Sequence, residues 1–90
     1  MNIQNIWNNI LKHEGETFLT VTGLEFTYVV IDDHTIRPYR DGKTRWPLSK
    51  NLFEKALSFP QEKYGTSEFT NAIIGSAYVR ALLMDERIIG

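Results

Sequence analysis

The hydrophobic positions of the first twelve residues repeat with a helical period. Ile3, Ile6, Trp7, Ile10 and Leu11 fall at i, i+3, i+4, i+7 and i+8, and Asn8, Asn9 and Lys12 occupy the opposite side. The spacing predicts a helix over 2–12, with Asn2 as its N-cap and Gly15 as its terminator. The period then shortens. Residues 17–22 and 25–31 are rich in β-branched and aromatic side chains and read as strands. Gly23-Leu24 between them suits a type II′ turn, because glycine accepts positive φ at the first central position. Asp32-Asp33-His34-Thr35 reads as the next turn and 35–40 as a third strand. Pro38 lacks an N–H for a ladder, which assigns that strand to an edge.

Two-residue turns would set the register. Val21 would then face Phe26 and Leu19 face Tyr28, with Val30 opposite Arg37 and Tyr28 opposite Tyr39. One face of the sheet would carry Leu19, Val21, Phe26, Tyr28, Val30, Arg37 and Tyr39. The other would carry Phe18, Thr20, Thr22, Thr27, Val29, Ile31, Ile36, Pro38 and Arg40. Neither face is clearly polar, and a one-residue bulge would exchange part of the two sets.

Residues 41–48 read as a loop. Ser49 is suited to cap a second helix over 50–58, with Leu52, Phe53, Ala56 and Leu57 on one side and Pro60 enforcing its end. Residues 60–75 are polar and punctuated by glycine, with Phe69 as their anchor. A structureless loop of that length is uncommon in so small a domain, so a short helical turn or an extended segment is expected within it. A third helix is expected over 77–85, capped by Ser76 and buried through Tyr78, Val79, Ala81, Leu82 and Leu83. The order is α-β-β-β-α-α. This is an α+β domain spanning 1–90, a three-stranded antiparallel meander with one helix before it and two after it, and the helices lie mainly on one sheet face.

Composition narrows the chemistry. Ninety residues are one domain's worth of chain, and 42% hydrophobic residues suffice for one core. The chain has no cysteine, hence no disulfide, thiolate metal site or thiol nucleophile. No run of 18 apolar residues and no leader pattern occurs, so the expectation is a cytoplasmic protein without a membrane partner. Asp32-Asp33-His34 and His13-Glu14-Gly15-Glu16 are the nearest approaches to an acid–base or metal cluster. Turn chemistry accounts for the first, and helix-terminus electrostatics for much of the second. No catalytic residue, metal ligand or cofactor is assigned, and a non-enzymatic protein is expected.

Charge changes the picture more. The net value is −1, yet residues 1–32 hold one cation against four carboxylates, residues 33–55 six cations against three, and residues 56–90 three against four. The positive third contains the segment 37–50, where Arg37, Arg40, Lys43, Arg45 and Lys50 are interleaved with Tyr39 and Trp46. Cations neutralise phosphates and aromatic rings stack on bases, so these seven residues are the candidate nucleic-acid-binding set. The structural reading of the same residues makes Trp46 and Tyr39 core side chains and pairs the arginines with Glu25 or Asp41.

In element order alone, a three-strand meander and helix over 17–58 resembles the small DNA-binding domains of the phage-integrase arm type. That resemblance implies a sheet lying in the major groove. The leading expectation is a small module of bacterial or phage type that contacts DNA or RNA. The alternative is a module that binds another protein or itself through an exposed apolar sheet face. Geometry separates them: five cations on one exposed face favour nucleic acid, whereas strand alternation sets Arg37 and Arg40 on opposite faces and divides the patch.

Overall fold

The structure is a computed structural model that describes residues 2–90. It is α+β, as the pattern predicts, with a larger sheet and more helices than the pattern showed. Helix α1 (Ile3–Lys12) starts where Asn2 accepts from the N–H groups of Gln4 and Asn5, at 2.8 and 3.3 Å. Five antiparallel strands follow: β1 (Phe18–Leu19), β2 (Glu25–Asp32), β3 (Thr35–Arg40), β4 (Lys43–Thr44) and β5 (Leu48–Ser49). Helix α2 (Lys50–Leu57) is capped by Ser49, whose hydroxyl accepts from Leu52 N–H at 3.2 Å. A short 3-10 turn (Gln61–Lys63) and α3 (Ser67–Ala72) occupy the polar 60–75 segment, with Phe69 buried as its anchor. Helices α4 (Ser76–Leu83) and α5 (Glu86–Ile89) complete the described chain.

Four departures from the expected meander have local causes. The first strand is short because the chain turns at Thr20. Its N–H donates to Leu24 C=O at 2.9 Å, and its hydroxyl accepts from Leu24 N–H at 3.0 Å. Val21 and Thr22 therefore sit in a turn, and Phe18, not Val21, pairs with Phe26. Next, residues 41–48 are not a loop. Asp41 and Gly42 both adopt positive φ, at 56° and 74°, which suits the tightest hairpin turn and folds β4 back onto β3. Third, β3 is central. It pairs with β2 on one side and with β4 and β5 on the other. The reasoning about Pro38 survives in a local form. The N and C=O of a strand residue point to the same neighbour, and Pro38 C=O accepts from Arg45 N–H at 2.8 Å. Its missing donor thus faces the irregular stretch between β4 and β5. Finally, Gly75, not Ser76, caps α4. Its φ of 67° is left-handed, and a Cβ there would lie 2.8 Å from Leu48 Cδ2.

The register of β2 and β3 decides what is buried. Beside the turn Asp32 pairs with Thr35, as expected, and Asp32 Oδ1 accepts from His34 N–H at 2.8 Å. One step further the register shifts between Val30 and Asp32, so Val30 meets Ile36, Tyr28 meets Pro38 and Val29 meets Arg37. This bulge at Ile31 brings Phe26 and Tyr28 to the same face as Ile36 and Pro38. The helices cover that face, and with Phe18 and Leu48 these residues are buried. Trp7, 1% exposed, packs against Phe53 and donates from Nε1 to Asp33 C=O at 2.7 Å. Tyr28 donates its hydroxyl to Ile10 C=O at 2.7 Å, and burial pushes that hydroxyl's pKa well above its ordinary value. Both bonds tie α1 to the sheet.

A charged cluster ties the chain end to the same place. Arg87 donates to Asp85 at 2.9 Å and to Glu16 at 3.2 Å, and its guanidinium lies 3.9 Å over the Phe18 ring. His13 Nδ1 lies 2.7 Å from Glu16. These bonds hold both carboxyls below their ordinary values: His13 first for Glu16, and Arg87 first for Asp85.

Two outcomes follow. Trp7→Ala removes a fully packed indole and strands a carbonyl, and should destabilise the fold by about 3–5 kcal/mol in urea denaturation. The second concerns acid. A depressed carboxyl stabilises the fold above its unfolded pKa and loses that contribution as pH falls through the folded value. Stability should therefore fall as pH drops below the ordinary values of 4.5 for Glu16 and 3.8 for Asp85. Asp85→Asn should flatten that acid limb in thermal unfolding measured across pH.

Candidate functional site: the uncovered sheet face

With every helix on one side, the other side of the sheet is open. Direct pairing of Thr27 with Tyr39, Val29 with Arg37, and Tyr39 with Thr44 sets these five side chains on that outer face. The chain bulges outward between β4 and β5, and there Arg45, Trp46 and Pro47 join Arg37 and Thr44 around a shallow groove. Trp46 is 75% exposed, so it is not the core plug that the structural reading allowed. Val29 and Ile31, at 38% and 48% exposed, extend the face along β2.

The seven residues singled out in the sequence are thus divided. Arg37, Tyr39, Arg45 and Trp46 are together on or beside the outer face. Arg40 pairs with Lys43 across the hairpin, one residue out of phase with Tyr39, and its side chain lies at the end of the sheet, lining the depression with Tyr39 and Val29 and with its Nε 3.9 Å from Asp41. Lys50 is engaged elsewhere, its amine donating to Gln4 Oε1 at 2.7 Å and joining α2 to α1. Val29 is the contact that alternation misplaced, since only the Ile31 bulge sets it beside Arg37. The Asp41-Gly42 dipeptide was the overlooked signal for the hairpin that presents Thr44 and leads into Trp46.

The electrostatics of the face are mixed. Arg37 and Arg45 form no ion pair among the described residues, and the Nε of each is buried without a partner. Arg40 and Arg80 bury the same nitrogen, so what sets Arg37 and Arg45 apart is that they line one groove with the exposed Trp46, where an incoming anion reaches both. Carboxylates border the same face. Glu25 and Asp41 line the depression beside Tyr39, and Asp32 and Asp33 occupy the turn at the other end of β2.

The free edge of β2 is closed. Gly15 N–H donates to Tyr28 C=O at 3.2 Å, and Val30 N–H donates to Glu14 Oε2 at 2.6 Å. The earlier acid–base candidates are accounted for structurally. Asp32 and Asp33 build the hairpin and receive Trp7, and His13 pairs with Glu16. Among the described residues no three His, Asp or Glu side chains gather as a metal site, and no helix is long and apolar enough to cross a membrane.

Compared with known proteins, the chain matches no family model, no curated protein and no solved structure.

The exposure of Trp46 makes a direct prediction. Trp46→Ala removes a ring that holds no core together, and should change unfolding free energy by no more than about 0.5 kcal/mol. Urea denaturation of the two tryptophan variants side by side separates the structural indole at 7 from the presented one at 46.

Proposed function

We propose that this protein is a small non-catalytic adaptor whose uncovered sheet face binds another protein, one that brings carboxylates to Arg37 and Arg45 around an apolar contact on Trp46 and Val29. The observation that carries this reading is Trp46, exposed in a groove with two arginines that have no acidic partner among the described residues. Tryptophan, tyrosine and arginine are the residues most enriched at the energetic centres of protein interfaces. Val29 and Ile31 add branched aliphatic surface, which packs on protein side chains and gives a base little to stack on. The closed β2 edge leaves no place for an added strand on that side of the face.

Nucleic acid is the second reading, and the same arginine–tryptophan groove supports it. Against it, Arg37 and Arg40 leave β3 in opposite directions, and Glu25, Asp32, Asp33 and Asp41 lie around the sheet beyond the groove, which disfavours an extended polyanion more than a partner that sets single carboxylates at the two arginines.

A photo-crosslinking residue in place of Thr44 identifies what contacts this face in cells, and calorimetry with the purified partner measures it. Trp46→Ala should weaken that binding by about 30-fold or more, and Arg37→Ala by a comparable factor. Unchanged affinity in both variants sinks the proposal. So does binding of a single-stranded oligonucleotide at low salt that both substitutions abolish, since it reassigns the face to nucleic acid. A dimer in sedimentation that Trp46→Ala dissociates replaces the acidic partner with a second copy.

A further inference from the structure

On the helical side of the molecule a second arginine-lined site is present. A cleft of about 220 Å³ opens between the Thr20–Gly23 turn, Gly65 and the facing sides of α3 and α4. Arg80 lines it, forms no ion pair among the described residues, and buries its Nε without a partner. Among the described residues no carboxylate lines this cleft, in contrast to the outer face. Hydroxyl groups do. Those of Thr22, Thr70 and Ser76 come from three separate segments, and Ser76 lies one helical turn before Arg80 on the same side of α4. The Thr70 and Ser76 hydroxyls bond no protein group among the described residues; the Thr20 hydroxyl accepts from Leu24 N–H and lies 3.2 Å from that of Thr22, which keeps its own proton for a ligand when Thr20 donates to it.

Two features shape the cleft around the guanidinium. Gly65 holds φ at 86°, a conformation that glycine takes without strain, and the Arg80 guanidinium lies against its backbone. Helix α4 begins at Gly75, which offers no side chain to cap the first turn, and Ser76 and Ala77 of that turn line the cleft. The positive end of the helix dipole adds to the charge of Arg80.

We propose that this cleft is a phosphate-binding site, with Arg80 as the fixed cation and the Ser76, Thr70 and Thr22 hydroxyls as additional donors. A tetrahedral oxyanion presents oxygens in several directions and can use donors from three segments at once, whereas a carboxylate presents two in one plane. The volume is below the roughly 300–1,000 Å³ usual for larger organic ligands, which fits a single phosphate group, free or carried as a monoester at the open mouth. The site is separate from the outer sheet face and independent of what binds there.

The test is an NMR titration of the whole chain with inorganic phosphate and, separately, with a nucleoside 5′-monophosphate, against chloride at matched ionic strength. Phosphate should give saturable shifts of the Ser76 and Ala77 amides and of the Arg80 Nε–H. Arg80→Gln should weaken binding by about ten- to a hundredfold, and Arg80→Lys should fall between, keeping charge and losing the planar fork. Ser76→Ala, a change outside the core, should weaken it by about two- to tenfold. Lys12→Gln, an exposed position of α1 away from the cleft, should leave it unchanged. Tighter binding of the mononucleotide assigns the phosphate to a monoester, and equal binding assigns it to the free ion; both support the site. The absence of saturable shifts with either probe, or shifts that persist in Arg80→Gln with its fold intact by amide dispersion, overturns it.

Discussion

The bulge at Ile31 is the constraint on which the arrangement of this domain depends. Side chains alternate along a strand, so one extra residue exchanges the two faces for everything beyond it. Without it, Val30 would lie opposite Arg37 and Tyr28 opposite Tyr39, bringing Arg37 into the layer beneath the helices. With it, Phe26 and Tyr28 join Ile36 and Pro38 under the helices, and Val29 and Thr27 join Arg37 and Tyr39 outside. Two hydrogen bonds hold the shift near its origin: Asp32 Oδ1 fixes the turn through His34 N–H, and Trp7 Nε1 grips Asp33 C=O from α1. The same helix receives the Tyr28 hydroxyl at Ile10. The first helix thus supports the register as well as the core.

Local signals in the chain were legible where a side chain bonds its own neighbours. Asn2 and Ser49 cap the helices that their positions predict, and the Asp32–Thr35 turn forms where its residues require it. The helical stripe of Ile6, Trp7 and Ile10 is buried as its period indicates. What was not legible depends on contacts across the chain. A two-residue strand such as β5 has no period to read, and it exists because Leu48 and Ser49 pair with Ile36 and Thr35. Pro38 argued for an edge, and the strand is central because the ladder beside it is interrupted where the proline lacks a donor. Alternation correctly separated Arg37 from Arg40. It could not place Val29 beside Arg37, because a bulge leaves no mark in a run of apolar residues.

Of the candidate site, four of seven residues come together. Lys50 shows why charge counted along a chain overstates a patch. Its position in the basic segment is adjacent in sequence, yet the turn from β5 into α2 carries its amine to Gln4 on the helical side. Arg40 and Lys43 are separated from Arg37 by the two-residue period of the strand itself. A positive third of the sequence therefore becomes three small positive regions set apart from one another. At physiological salt, screening over about 8 Å lets each region act alone.

A domain of this size cannot cover both faces of a sheet, so an open face by itself carries no functional meaning. The chemistry of the open face does. Solubility would be served by threonine and lysine at every outer position, and Thr27, Thr35 and Thr44 show the sheet accepting such residues there. Trp46 has no comparable structural reason: its indole makes no hydrogen bond among the described residues, and three quarters of its surface meets solvent. Arg37 and Arg45 likewise stand without acceptors although Glu25 and Asp41 border the same face. An indole kept in water beside two guanidinium groups kept unpaired stabilises nothing within the molecule. Its energetic return comes when apolar surface covers the ring and anions reach both arginines together, which is the arrangement a complementary binding partner supplies.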